Sequence, residues 1–458
     1  MSGEIKENKM GVMPVPKLMV NMAVPMMISM LVQALYNIVD SIFVSRISEN
    51  ALSAVSLAFP LQTMMIAVSV GTGVGINALL SKSLGEKNFK RVNDSACNGI
   101  FVYVLSYLVF LIAAFTVVKP FYASQVKAAD AEIGIMGVSY LTIVMGASIG
   151  SFMQICFERL LVSTGKTFYS MISQMSGAIT NIIMDPILIF GLFGLPKMGV
   201  AGAAIATVMG QFVGATLAII FNLKYNKEIT ISFKCFKPDL KVISTIYKVG
   251  LPSIVMQSIG SVMTYSMNLI LISFSSTATA VFGSYFKLQS FFFMPLFGMN
   301  GGITPIIAYS YGAKQRKRMI QTIKLAMCVA FCLMLVGFFA FEFIPHIFLG
   351  LFDASEEMLA IGCTALRIIG VHFLVAWFCI IAGTCFQALG RATYSLIVSV
   401  MRQLVVLIPA AYILAKVGGL NAVWWSFPIA EIMSFAVTLV CFIKIYREII
   451  VLLPEGNE

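Results

Sequence analysis

The chain has 458 residues, of which 59% are hydrophobic and only 11% are charged, and its formal net charge is +11. Soluble domains carry about 25% charged residues, so this composition and a mean hydropathy of +0.93 exclude an ordinary soluble protein. The apolar stretches are also too long and continuous for a membrane β-barrel, whose strands read as alternating segments of about 10 residues.

Long runs without Asp, Glu, Lys or Arg predict membrane-spanning helices along the whole chain. A helix needs about 20 apolar residues to cross the hydrocarbon core, and the runs that reach this length include 18–39, 50–81, 133–157, 199–223, 249–286 and 288–313. The predicted helices are 17–43, 52–81, 94–118, 133–157, 167–191, 199–223, 241–273, 278–310, 318–345, 356–385, 391–415 and 420–447. No cleavable signal peptide is expected before the first of them.

The basic residues indicate how these helices are oriented. With both chain ends placed in the cytoplasm, 23 of the 31 Lys and Arg residues lie on the cytoplasmic side of the twelve helices, and five lie on the other side. Cytoplasmic loops of membrane proteins carry such an excess, which favours an even number of spans. The net charge is therefore a topology signal, for which inner-leaflet lipid is a sufficient partner, and no nucleic acid is expected.

The two halves of the chain resemble each other. A shift of 227 residues aligns Pro25 with Pro252 and, further along, the basic run that ends at Arg91 with the run that ends at Arg318. A shift of 225 aligns Gly165 with Gly390. The other matched positions are Gln62 with Gln289, Gly75 with Gly302, Ser83 with Ser310, Gly85 with Gly312, Lys166 with Arg391, Tyr169 with Tyr394 and Ser170 with Ser395.

This repeat predicts an all-α integral membrane protein with two six-helix lobes, related by a pseudo-two-fold axis along the membrane normal. The expected division is a first lobe at 1–223, a cytoplasmic linker at 224–240 and a second lobe at 241–458. Parallel repeats of this kind are a transporter plan, in which substrate binds between the lobes and access alternates as they rock.

Several segments carry a family resemblance in consistent order and spacing. They are YNIVDSIFV (36–44), ALSAVSLAFP (51–60), GAITNIIMDPILIFG (177–191), PIIAYSYGAKQRKR (305–318), CFQALGRATYS (385–395) and WWSFPIAE (424–431). Over essentially its whole length the chain resembles the multidrug and toxic compound extrusion (MATE) family. The resemblance implies a bacterial multidrug-efflux transporter, not an enzyme, in the cytoplasmic membrane. It departs from the family where Met256, rather than Arg, precedes Gln257, and where the seventh and tenth helices lack carboxylates outside their ends.

Charged groups at bilayer depth are costly and are functional candidates by default. The resemblance implies that Asp40 is the coupling carboxylate, although exposure at the outer helix end is an alternative for it. Asp185 and Asn181 lie four residues apart and share a helix face, a combination of oxygens that suits a hard cation as well as a helix–helix hydrogen bond. The resemblance also points to Tyr140 and Thr207 as neighbours. The expected coupling ion is H⁺ or Na⁺, with sodium as the one metal considered and no cofactor.

The second half carries Glu431, Arg402 and Lys287, for which mutual neutralisation in a polar network and contact with substrate are both open. Three further polar positions, Tyr36, Asn37 and Gln257, belong to the same predicted substrate or polar network. A histidine, His372, has no evident partner in the sequence and is expected to be packed. Glu158 and Arg367 are expected near helix ends, in reach of water or the interface.

Three functions compete on the sequence. The favoured one is a monomeric secondary antiporter that exports drugs or cationic organic metabolites in exchange for protons or sodium ions. A lipid or lipid-linked glycan flippase of similar architecture is the alternative, and it would be expected to carry more charge in its central cavity. A membrane enzyme would need a catalytic cluster such as HExxH or a GxSxG turn with acid and His partners. HExxH is absent, and the one GxSxG match, GASIG at 146–150, lies inside a predicted membrane helix instead of at a strand-to-helix turn.

Overall fold

The computed structural model describes residues 7–126, 131–232, 237–350 and 355–454, except for the side chains of Ser45 and Glu49. Within these ranges ten helices are long and apolar enough to cross a membrane. Two further pairs of shorter helices pass the same test together, and the number of spans is twelve when each bent pair is counted as one. The total of twelve spans confirms the predicted all-helical fold.

The first half of the chain contains nine α-helices and six spans. The helices are α1 (Lys9–Val12), α2 (Val15–Ser45), α3 (Glu49–Gly85), α4 (Phe89–Thr116), α5 (Val118–Gln125), α6 (Ala131–Gly146), α7 (Ile149–Ser163), α8 (Thr167–Phe190) and α9 (Val200–Tyr225). The fourth span is the pair α6 and α7, which is bent by 43°. A short 3₁₀ turn, Leu192–Gly194, follows α8.

The second half repeats this order. Its helices are α10 (Leu240–Ile272), α11 (Ser276–Gly312), α12 (Arg316–Phe343), α13 (Pro345–Gly350), α14 (Glu356–Gly370), α15 (Phe373–Ala388), α16 (Ala392–Val400), α17 (Ile408–Val423) and α18 (Ser426–Ile445). The tenth span is the pair α14 and α15, bent by 51°. Stretches of π-helix join α16 to α17 at Met401–Leu407 and follow α18 at Tyr446–Ile450.

The backbone follows the repeat closely. The helices α3 and α11 both begin after a serine that caps the helix, since Ser48 accepts a hydrogen bond from the Ala51 amide and Ser275 accepts one from the Ala278 amide, each at 3.0 Å. The turns after these helices contain a lysine with positive φ, at Lys87 (56°) and at the position 227 residues later (57°). The two halves thus share local geometry as well as residue types.

Each half packs around its own apolar core. One cluster of buried apolar side chains is drawn almost entirely from residues 10–229, and the other almost entirely from residues 263–450. We call the helices α1 to α9 the first lobe and the helices α10 to α18 the second lobe. Five side chains join the core of the other lobe: Met19 and Ala23 pack into the second, and Ile246, Ile306 and Tyr309 pack into the first.

The lobes touch along one half of the bundle, where glycines allow the backbones to meet. A Cβ atom on Gly85 would lie 2.2 Å from the Tyr309 carbonyl oxygen, and one on Gly312 would lie 2.1 Å from the Lys82 carbonyl oxygen. Similar contacts join α3 to α10 at Gly75. We call this half, at the C-terminal ends of α3 and α11, the closed end.

At the opposite half, which we call the open end, the same helices present large apolar side chains on their surfaces. On α2, Leu35 and Ile38 are both 58% exposed, and on α10 Tyr265 is 66% exposed. The glycine contacts that join the lobes therefore lie at the closed end, and the side chains of α2 and α10 are exposed at the open end.

The N-terminal segment, residues 7–13, spans the two lobes at the closed end. The Arg318 guanidinium of the second lobe donates hydrogen bonds to the carbonyl oxygens of Met10, at 2.7 Å, and Met13. The Asn8 amide donates to the Thr164 carbonyl oxygen of the first lobe at 3.0 Å. Within the segment, burial and then the nearby positive charge of Lys166 lower the pKa of Lys9 to about 8.

The structure corrects three details of the predicted helices. The fourth and tenth spans are bent pairs rather than single helices, with the breaks at residues 147–148 and 371–372. The eleventh span runs on to Val423 instead of ending at 415, with non-helical backbone at Gly419. Arg159, counted with the cytoplasmic loops, lies within α7, because that helix continues to Ser163.

Candidate functional site

The interior of the first lobe contains a cluster of polar side chains from five helices. They are Tyr36 and Asp40 on α2, Gln62 on α3, Tyr140 on α6, Asn181 and Asp185 on α8, and Thr207 on α9. The helix α8 packs closely against both α2 and α9. Spacing of four residues puts the two α2 groups on one helix face and the two α8 groups on another, so each helix directs both its polar groups into the lobe.

The two carboxyl groups of this cluster meet each other. Asp40 and Asp185 lie within hydrogen-bonding reach, side chain to side chain. Asp185 is fully buried, and Asp40 Oδ1 is buried without a hydrogen-bond partner in the described structure. Two adjacent carboxylates cannot both stay ionised and dry at low cost, so the pair is suited to hold one proton or one cation.

Asn181 connects the carboxyl pair to Thr207. With its amide oriented to satisfy its neighbours, the Asn181 nitrogen donates to Asp185 Oδ2 at 3.0 Å, and its oxygen accepts from the Thr207 backbone amide at 2.9 Å. The Tyr36 hydroxyl also lies in hydrogen-bonding contact with Thr207. Asn181 and Thr207, which were predicted for the cation site, and Tyr36, which was predicted for the substrate or polar network, therefore lie around one carboxyl pair.

Tyr140 closes the other side of the cluster through a residue that was not predicted. Its hydroxyl accepts a hydrogen bond from Gln62 Nε2 at 3.2 Å, and its side chain is buried inside the lobe. Gln62 has a repeat partner at Gln289, and that match is the signal by which the sequence could have identified it. Asn37 has an exposed side chain on α2 and lies beside this cluster in sequence.

A third carboxylate of the first lobe lies closer to the closed end. Glu158 was expected near a helix end in reach of water, but it lies within α7 and accepts a hydrogen bond from Gln154 at 3.0 Å. Its Oε1 atom is also 3.2 Å from the Ser173 hydroxyl of α8. The next residue, Arg159, reaches between α3 and α11, since its side chain passes within 4.0 Å of the Cβ positions on Gly73 and Gly301.

The interior of the second lobe holds a different charged cluster. Glu431 on α18 is 3% exposed, and its Oε2 atom lies 3.4 Å from Arg402 Nη1 in the π-helical stretch after α16. The same oxygen lies 3.8 Å from His372 Nδ1, at the bend between α14 and α15. Mutual neutralisation of Arg402 and Glu431 is thus present in the geometry, while Glu431 Oε1 is buried without a partner in the described structure.

The structure changes the expectation for His372. Besides its proximity to Glu431, its Nε2 atom lies 3.1 Å from the Tyr285 hydroxyl of α11, so the histidine has partners that the sequence did not reveal. Lys287 lies on the same helix as Tyr285 with an exposed side chain, and Gln257 is half-buried on α10. Arg367 is exposed and donates to the Glu342 carbonyl oxygen at 3.1 Å.

Comparison with known proteins identifies the family. The MatE family model matches residues 25–187 and matches again at residues 252–413. The two matches start 227 residues apart, as the internal repeat requires, and together they cover most of the chain. The chain belongs to the MatE family. It is therefore a multi-pass membrane transporter.

Curated relatives match along nearly the whole chain. The multidrug export protein MepA of Staphylococcus aureus (strain MRSA252) is 26% identical over 437 residues, which cover 94% of this chain and 94% of MepA. The MepA protein of Staphylococcus haemolyticus (strain JCSC1435) is 27% identical over 416 residues, with 91% and 90% covered.

Solved structures share the complete fold. An outward-facing multidrug resistance MATE family transporter of the MOP superfamily superposes with a TM-score of 0.89 at 25% identity, over 98% of this chain and 99% of that one. A MOP superfamily transporter from Pyrococcus furiosus Vc1 (DSM3638) gives a TM-score of 0.88 at 26% identity, over 98% of both chains. For that protein, the reverse polarity of its binding pocket suggests a different function.

Proposed function

We propose that the protein is a secondary antiporter that exports small organic molecules, cationic ones among them, in exchange for a proton or a sodium ion bound at Asp40 and Asp185. The observation that carries this proposal is the contact between these two carboxyl groups in the first lobe. The similarity to MepA, a multidrug export protein, supports the class of substrate.

The carboxyl pair can couple ion movement to lobe movement. An occupied pair carries one positive charge more than an empty pair, and the empty pair holds two buried negative charges that repel each other. Ion binding and release therefore change the energy of the packing of α2 against α8. A ligand shifts a conformational equilibrium when it binds one state better than the other, and an ion between these helices meets that condition.

The chemistry of the cluster suits either ion. A proton needs one carboxyl oxygen and one acceptor, and Asp40 and Asp185 provide both. A sodium ion needs several oxygens, which the Asn181 amide and the Thr207 hydroxyl add to the carboxylates. The proposal therefore leaves the choice of ion to experiment.

In the proposed cycle the present conformation faces outward. The basic loops predict that the closed end is cytoplasmic, so the open end faces away from the cytoplasm. The similarity to a transporter solved in its outward-facing conformation supports this orientation. We further propose that the protein resides in the bacterial cytoplasmic membrane as a monomer, with both termini inside.

Transport in sealed vesicles tests the proposal. The purified protein is reconstituted, and uptake of a fluorescent organic cation is followed under a proton gradient alone, a sodium gradient alone or neither. We expect one gradient to drive accumulation and its collapse by an ionophore to stop it. Accumulation that needs neither gradient, or movement of lipid without movement of the dye, would contradict the proposed antiport.

A further inference from the structure

A second polar site lies at the closed end, far from the carboxyl pair. It is a cleft of about 250 Å³ between the lobes, several times the roughly 30 Å³ share of one water molecule. Three cations line it: Lys82 from α3, Arg91 from α4 and Arg391 from the turn between α15 and α16. The established family membership gives this cleft no role.

The cations of the cleft outnumber the carboxylates that face them. Glu86 lies 3.8 Å from Lys82 and 3.7 Å from Arg91, and it serves both. Lys82 also lies over the ring of Tyr311, 4.8 Å from its centre. Arg391 is exposed and forms no ion pair with any described residue. The cleft is therefore left with an excess of two positive charges, a surplus that favours an anionic ligand.

The internal repeat shows what fills the equivalent position in the other half. Arg91 corresponds to Arg318, which donates to the carbonyl oxygens of Met10 and Met13. Arg391 corresponds to Lys166, which pairs with Glu228 at 3.4 Å. In that half the protein supplies oxygen acceptors to both cations, through its N-terminal segment and its linker. At the cleft, described linker residues bond to α4 through Asn93 and Asn98, and none of them forms an ion pair with Arg91 or Arg391.

The cleft also has an apolar wall. Ala78 of α3 and Val249 of α10 line it, and both belong to a small buried apolar cluster with Ala392 that is separate from the cores of the two lobes. A phosphoryl group would find cations on one side of the cleft, and the hydrocarbon attached to it would find apolar side chains on the other. Basic pockets between transmembrane helices on the cytoplasmic side bind lipid headgroups in this manner.

We propose that this cleft binds the phosphoryl group of an anionic phospholipid and that the bound lipid stabilises contact between the lobes at the closed end. The cations come from both lobes, since Lys82 and Arg91 belong to the first and Arg391 to the second. Separation of the lobes would divide them and weaken the site. The lipid therefore binds more tightly to the state in which the lobes touch at the closed end than to the state in which they are separated. It shifts the equilibrium between these two states toward the first.

Lipid-dependent thermal unfolding of the purified protein tests the site. Phosphatidylglycerol, phosphatidylcholine or inorganic phosphate is titrated into the protein in detergent, and the melting temperature is measured. We expect phosphatidylglycerol to raise the melting temperature saturably and the other two to have little effect. The double variant Arg91→Gln/Arg391→Gln should weaken the apparent affinity for phosphatidylglycerol by about tenfold to thirtyfold, as expected for the loss of two cations at a lipid surface.

A charge-matched variant separates the cleft from the general surface charge. Lys90 and Lys241 are exposed cations at the same end that do not line the cleft, and Lys90→Gln/Lys241→Gln should bind phosphatidylglycerol within about twofold of the unaltered protein. Equal weakening in both double variants would overturn the site. Protection by inorganic phosphate as strong as that by phosphatidylglycerol would overturn the assignment to lipid. If Arg91→Gln/Arg391→Gln does not fold, Arg391→Gln alone should still weaken binding about fivefold.

Discussion

Asp40 owes its position to the length of its helix. The helix α2 continues for five residues beyond it, to Ser45, so the carboxyl group lies among the polar side chains of the first lobe instead of at the outer helix end. Its Oδ1 atom is buried with no hydrogen-bond partner in the described structure. A buried carboxyl oxygen without a partner is costly, and a proton or cation that binds there would remove that cost.

We predict that Asp40→Asn abolishes gradient-driven efflux while the protein still inserts and folds. The substitution keeps the shape of the side chain and removes the group that can gain or lose a charge. Coupled transport should fall by about tenfold or more, which is the size of effect that the usual coupling free energy between two linked sites produces. Glu357→Gln, which removes an exposed carboxylate from the first turn of α14, is the matched control. Normal efflux by Asp40→Asn would show that the carboxylate has a structural role only.

We further predict that Asp185→Asn and Asn181→Ala weaken the ion dependence of transport, whereas Glu431→Gln changes substrate range or stability. The first two remove ligands of the carboxyl pair. The third leaves Arg402, whose side chain is 31% exposed, without its carboxylate. Ion titrations of transport by the three variants, with thermal unfolding of each, separate these effects. A shift in ion dependence by Glu431→Gln alone would move the coupling site to the second lobe.

Among the elements, α3 and α11 determine how closely the lobes approach. Their backbones meet at Gly85 and Gly312, where a Cβ would lie within 2.2 Å of a carbonyl oxygen of the facing helix. Real Cβ atoms essentially never come so close, so a larger residue forces the helices apart. The contact between the two helices therefore requires that these two positions lack a side chain.

We predict that Gly312→Ala loosens the closed end. Alanine stabilises a helix by about 0.8–1.0 kcal/mol relative to glycine. The substitution does not weaken the helix itself, so any loss of closure must come from the inter-lobe contact. Distances between spin labels on α3 and α11 at the closed end should broaden or lengthen. Gly283→Ala is the matched control, because Gly283 lies on the same helix and a Cβ there meets nothing within 4 Å. Unchanged distances in Gly312→Ala would show that the lobes do not meet at this point.

The N-terminal segment is a second element that spans the lobes, and Arg318 connects it to the second lobe. We predict that Arg318→Gln accelerates hydrogen exchange in residues 7–13 by about tenfold or more, since hydrogen bonds that involve a charged group contribute about 1.5–3 kcal/mol. Lys324→Gln removes an exposed cation farther along α12, and it should leave exchange unchanged. Equal exchange rates in the two variants would contradict a role for Arg318 in seating the segment.

At the scale of the whole molecule, the sequence predicted twelve spans and two lobes because hydrophobic length and the 227-residue repeat depend on residue types alone. It did not predict the bend at His372, since neither proline nor glycine occupies positions 371–372. It also did not predict that Arg159 reaches between the lobes. Helices surrounded by lipid are apolar on every face, so the sequence does not indicate which side of α7 faces the second lobe.

Some residues of the candidate site could be predicted from the sequence, and others could not. Asp40, Asn181 and Asp185 could be identified because charged and amide groups are rare and costly in membrane helices. The His372 contacts with Tyr285 and Glu431 could not, because they join helices that are far apart in sequence. The repeat match with Gln289 marks Gln62, but it does not indicate the contact with Tyr140. Only the packing of the lobes determines which of many polar side chains meet.

The orientation of the whole molecule gives the last prediction. Single cysteines at Lys227 and Lys314, placed in a cysteine-free background, should be shielded from an impermeant thiol reagent in intact cells, while those at Ser124 and Ser355 should be labelled. The reason is the positive-inside rule, since the basic loops cluster at the closed end, and Ser124 and Ser355 are exposed at the opposite ends of their spans. Permeabilised cells should label all four positions, which controls for local burial. The reverse pattern would place the closed end outside. It would contradict both the proposed outward-facing state and the cytoplasmic position of the cleft that is proposed to bind lipid.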